Sequence, residues 1–172
     1  MKRTLFSIAA LICASLVLFS CSKNDDAPYV DAQALTTVFE VNSTKWQATS
    51  DGIGYVYEVV EPEITSSIND RGAVWIYYSF DDGNTWELAP SLSRSDDSGN
   101  IFDFLAESGI DDQGSFVRLT ALKYSSNTNK APNFTSPNLV IKVVSIPSSL
   151  YNAHKDVNKE DYNEVKCVFN LK

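Results

Sequence analysis

The chain predicts an all-β fold: an antiparallel β-sandwich (immunoglobulin-like or related) carrying a short C-terminal helix. Three observations point there. Residues 53 to 60 alternate Ile53, Tyr55, Tyr57 and Val59 against Gly54, Val56, Glu58 and Val60, the two-residue period of a strand. Ala73 to Leu88 reads as two apolar runs around a tight Asp-Gly turn. Leu139 to Ile146 is almost wholly aliphatic and ends at Pro147, as a strand covered on both faces would.

The amino end is of another kind. Lys2 and Arg3 precede an apolar run from Leu5 to Phe19, the layout of a secretory signal peptide over residues 1–20 and too short to span a bilayer. Leu18-Phe19-Ser20-Cys21 resembles a bacterial lipobox, which makes Cys21 the expected lipid attachment point and mature first residue. Each buried methylene of a palmitate-class acyl chain contributes about 0.8 kcal/mol, so multiple acylation anchors the domain durably. Lys23, Asp25 and Asp26 follow in a pattern that resembles the surface-export signal of Bacteroidetes lipoproteins. Residues 21–34 are polar and read as a lipidated tether to a single β-sandwich domain, 35–172.

Of 172 residues, 152 remain without the leader, enough for one core. Loss of Lys2 and Arg3 moves the formal net charge from −8 to −10, which argues against nucleic acid and anionic headgroups as partners.

Within the domain, Leu35–Val41 and Lys45–Thr49 read as strands about an Asn42-Ser43-Thr44 turn. Glu61–Asn69 is ambiguous: Ile64 and Ile68 stand four apart as on a helical turn, yet the β-branched content favours an extended connection. Ser91–Asn100 reads as a loop, Ile101–Ala106 as a strand and Glu107–Ser115 as a turn. Phe116–Tyr124 follows as a strand with Val117, Leu119 and Ala121 on its core face, and Ser125–Asn138 as the longest loop. Asn158 is the expected cap of a helix reaching about Val168 that covers a sheet end or open edge.

Ala73–Leu88 carries the strongest motif. Ser79, Asp81, Gly83, Thr85 and Trp86 fit the pattern S-x-D-x-G-x-T-W, which resembles the Asp box of sialidases. Asp81 and Gly83 have a mechanical role in such a turn, the carboxylate accepting backbone N–H groups and Gly adopting positive φ. A sialidase propeller needs about four to eight blades of about 40–50 residues, more than this chain holds, and the box occurs once. The motif therefore predicts a structural turn without sialidase chemistry. In the preceding strand both faces are apolar. Trp75 and Tyr77 either fill a second apolar layer or form a candidate ligand platform for a sugar ring.

No chemistry-bearing constellation stands out. Asp81-Asp82, Asp96-Asp97 and Asp111-Asp112 precede glycines as turn residues do, and none has EF-hand spacing, so no metal is expected. One His, His154, and the absence of nucleophile, phosphate-loop and dinucleotide motifs leave no catalytic residue and no cofactor to name.

Tyr55-Val56-Tyr57, Ile64-Thr65-Ser66-Ser67-Ile68, Gly72 to Tyr78, Trp86-Glu87-Leu88-Ala89-Pro90 and Tyr162-Asn163-Glu164-Val165-Lys166 together resemble a family of small Bacteroidetes outer-membrane or surface lipoproteins of unknown function. Ala89 stands where that pattern has Leu before Pro90. The resemblance implies an all-β domain anchored at the outer membrane and exposed at the cell surface. The expected function is a non-enzymatic, lipid-anchored envelope protein that binds glycan or protein. A structural subunit of an envelope complex and, last, a glycan hydrolase are the alternatives.

Overall fold

Alternation in the strands is what builds the layers. The computed structural model describes residues 32–89, 92–95, 101–123 and 138–172. The leader, Cys21, Lys23, Asp25, Asp26, the Asp96-Asp97 pair and residues 125–137 of the expected long loop lie outside the described residues. Two antiparallel sheets form a β-sandwich. The first contains β1 (Leu35–Glu40), β9 (Val140–Ile146), β4 (Ala73–Ser79) and β5 (Glu87–Leu88), in that spatial order. The second contains β2 (Gln47–Ala48), β3 (Gly54–Val60), β8 (Gly114–Lys123), β7 (Ile101–Asp111) and β6 (Leu92–Ser95).

Register sets which side chains meet. Tyr57 pairs with Leu119 and Tyr55 with Ala121 across β3 and β8, so one set of alternating residues turns inward together. They meet Ile76, Tyr78, Ile141 and Val143 of the first sheet, and Phe102 and Phe104 of β7 complete the inner core. Val117, Leu119 and Ala121 are fully buried, as the sequence pattern of β8 predicts. Glu61, buried where β3 ends, accepts from the Thr37 hydroxyl of β1 at 3.0 Å and ties one sheet to the other.

The first sheet buries its other face as well. Tyr77, Val144 and Ile146 pack with Tyr162, Val165, Phe169 and Leu171 in a second, outer core, supported by Leu150 and Tyr151 of α2 (Ser148–Ala153). The result is three layers: sheet, sheet, and a helical cap that includes α3 (Tyr162–Val168). Ala34, assigned to the tether by composition, is already packed into this outer core.

Five expectations need correction. Glu61–Asn69 is not extended: Ser66–Arg71 forms α1, because Thr65 Oγ1 caps the Ile68 N–H at 3.3 Å and the four-residue spacing buries Ile64 and Ile68 together. The Ser91–Asn100 segment contains β6, paired to β7 in register Leu92↔Phe104 to Ser95↔Ile101. Glu107–Ser115 is not a turn, since β7 runs on to Asp111 and meets β8 through the two-residue loop Asp112-Gln113. There Asp111 accepts from the Gln113 N–H at 2.8 Å and Gly114 takes φ +121°.

The terminal helix begins three residues later than expected. Asp161, not Asn158, is the cap, its carboxylate accepting from Asn163 and Glu164 N–H groups at 2.9 and 3.3 Å. Asn158 instead turns the chain ahead of it by accepting from the Glu160 N–H at 3.1 Å. This helix covers a sheet face, not an end or edge, because its apolar residues Tyr162, Val165 and Phe169 meet Tyr77 and Val144.

Candidate functional site

The Asp box closes the β4–β5 hairpin through a compact bond set. Asp81 accepts from Ser79 Oγ at 2.8 Å, the Thr85 N–H at 2.9 Å and Thr85 Oγ1 at 2.7 Å, while Ser79 Oγ accepts from the Gly83 N–H at 2.7 Å. These bonds hold the Asp81 carboxyl below the usual carboxylate range, led by those from Thr85. Asp82 and Gly83 adopt φ +58° and +86°, and a Cβ on Gly83 would approach the Trp86 ring to 3.3 Å. The predicted turn residues Asp81, Gly83, Thr85 and Trp86 thus come together around one loop, and that loop sets the position of the Trp86 indole.

Tyr77 is not brought to a surface, whereas Trp75 lines a hollow of about 200 Å³ with Val74, Ile76 and Leu88. Tyr77 is fully buried and donates its hydroxyl to the Lys159 carbonyl at 2.8 Å. Burial, with Tyr162 and Asp161 nearby, pushes that phenol well above its ordinary pKa. Trp75 is half-buried, edge-on to Phe169 and Tyr151 at centroid distances of 5.7 and 6.4 Å. For Tyr77 the second apolar layer is the reading realised, because the C-terminal helices lie on this half of the face.

Those helices leave the hairpin end of the same face open. Along the outer side stand Val38 and Glu40 of β1, Val140 and Lys142 of β9, and Trp86 after the turn, with Val38 half exposed at 53%. With Phe39, Asp82 and Gly83 they line a cleft of about 480 Å³. A second hollow, about 370 Å³, lies on the other side of Trp86, among Asn84, Thr85, Asn158, Glu160, Asp161, Tyr162 and Asn163. Trp86 is the wall common to both.

Lys142 completes the site. Its ammonium sits 3.9 Å from the Trp86 ring centroid and 4.0 Å from that of Tyr162, and the two rings are 5.9 Å apart. Burial first, and the like charge of Lys166 second, lower its pKa to about 8. Sequence reading missed Lys142; the available signal was one charged residue within an otherwise uncharged, mostly aliphatic strand, VIKVVSI.

The opposite sheet offers a contrast. Arg118 is bound on both sides, to Glu58 and Glu107 at 2.7 Å each, and lies over Phe116, so its charge is already met within the fold. Among the described residues no group of three or more His, Cys, Asp or Glu side chains is arranged to hold a metal ion, and no helix is long and apolar enough to cross a membrane. Searches of family profiles, curated proteins and solved structures return no match.

Proposed function

We propose that this chain is a non-enzymatic, lipid-anchored cell-surface protein that binds glycan at the clefts flanking Trp86. The anchor rests on the leader and on Cys21, with Lys23, Asp25 and Asp26 directing the chain to the outer face of the outer membrane. The observation that carries the binding reading is the position of Trp86. Its indole separates two hollows whose walls hold amides, carboxylates and an amine. An aromatic ring packs on the apolar face of a pyranose, and planar polar side chains around it exchange hydrogen bonds with the hydroxyls. Asn84, Asn158 and Asn163 on one side, and Glu40 and Asp82 on the other, are suited to that exchange.

A glycan array probed with the detergent-purified full chain tests the binding. Trp86→Ala and Asn163→Ala variants, each checked for unchanged circular dichroism, should lose signal on the glycans the parent retains. Binding by neither parent nor variant removes the reading. For the anchor, incorporation of an alkynyl palmitate should vanish in Cys21→Ala, and protease added to intact cells should cleave the domain. A labelled but protease-protected chain would place it on the inner leaflet instead.

A further inference from the structure

Recognition of neutral sugar leaves Lys142 without a purpose. A lysine on the central strand of a covered sheet loses water, and an unpaired desolvated cation is unfavourable. The faces of Trp86 and Tyr162 offset part of that loss. No carboxylate among the described residues lies at ion-pair distance from it. Glu40 and Asp82 line the same cleft without pairing with the ammonium, and the like charge of Lys166 adds to its cost. Nearby, the Tyr162 hydroxyl is buried without a hydrogen-bond partner among the described residues. The cleft thus presents an aromatic wall, apolar Val38 and Val140, and a positive charge that no carboxylate among the described residues pairs with.

Building on the glycan-binding reading, we infer that the cleft takes glycuronates, with the sugar carboxylate seated on the Lys142 ammonium and the ring packed between Trp86 and Val38. A carboxylate meeting a partly desolvated ammonium forms a charge-assisted hydrogen bond, about twice as strong as a neutral one. Glu40 and Asp82, at the cleft wall, are left to accept from ring hydroxyls, and they oppose any pose that turns the carboxylate outward.

Titration calorimetry of the detergent-purified full chain with short oligogalacturonides, and with the same oligomers after carboxyl reduction, tests this. The acidic oligomers should bind at least about tenfold more tightly. Lys142→Met keeps the stem over the rings and should abolish that preference while retaining the weaker binding of the reduced oligomers. Equal binding of acidic and reduced forms overturns the glycuronate inference and leaves glycan binding standing. An undiminished preference in Lys142→Met also overturns it, whereas binding of neither oligomer together with a blank array removes both.

Discussion

The Tyr77 hydroxyl donates to the Lys159 carbonyl at 2.8 Å across 82 residues of sequence, joining the centre of the first sheet to the segment that leads into α3. Tyr77 is fully buried, so this bond ties the interior of the first sheet to the exposed segment ahead of the helical cap. Tyr77→Phe preserves the ring packing on Tyr162, at 5.1 Å, and leaves the carbonyl unanswered. Urea denaturation should show a loss of about 0.5–1.5 kcal/mol. Tyr77→Ala also opens a cavity and should cost about 3–5 kcal/mol, as for other large buried aromatics.

The Asp box makes a comparative prediction. Asp81 accepts from Ser79 and Thr85, whereas Asp82 only supplies positive φ at the tip. Asp81→Ala should therefore lower Tm clearly more than Asp82→Ala. The effect has a defined pH sense. A carboxyl held below its ordinary value contributes stability that is present above the unfolded pKa of about 3.8 and disappears as pH falls through the folded one. The Tm gap between the parent and Asp81→Ala should close in that acid range, and a gap that persists there would assign it to packing.

Gly72 caps α1 and immediately precedes β4, where a Cβ would sit 2.3 Å from the Ile146 carbonyl oxygen and 3.0 Å from that of Ile68. Both obstacles are backbone. Gly72→Ala must displace either the helix or the β4–β9 ladder and should cost about 1–3 kcal/mol or more. Gly52→Ala tests a different term: its Cβ would meet nothing within 4 Å, and only the strain of φ +71° opposes it.

Lys142 sets an alkaline signature. Its pKa is about 8 in the fold against 10.5 free, so protonation is harder in the native state than in the unfolded one. Between those values the unfolded chain binds more protons, and stability from this group rises with pH. Below about pH 8 both states are protonated and the penalty is present in full. Relative to Lys142→Met, the parent should gain Tm as pH increases from about 7 to about 9. At higher pH the buried phenols of Tyr77, Tyr78 and Tyr162, all shifted upward by burial, work the other way, because only the unfolded chain ionises them readily.

Particular residues show how far the fold and site were legible. The alternation of Ala73–Phe80 left a covered second face and an exposed platform both open; the cover is Tyr162, Val165 and Phe169, more than eighty residues downstream, and no local pattern points to it. Gly109 falls within the segment Glu107–Ser115 that reads as a turn. In the fold it lies within β7, opposite Phe116, whose ring would be 3.1 Å from a Cβ there, so the glycine makes room for an aromatic on the neighbouring strand. Thr65 was the overlooked cap in a β-branched stretch, where a side-chain hydrogen bond outweighed propensity. Trp86 was legible as a turn residue, but its place between two hollows depends on the start of α3, where Tyr162 packs beside it.

The ladder of β1 on β9 has a mechanical consequence. The open cleft lies at the Glu40–Val140 end of that pair, whereas the chain enters β1 at Leu35, opposite Ser145. A load applied at the amino end and resisted by a ligand in the cleft runs along the strand. Antiparallel ladder bonds are perpendicular to the strands, so such a load strains them together in shear instead of opening them one at a time. Pulled from its amino end against a held ligand, β1 would yield only when the whole register from Leu35 to Glu40 slips.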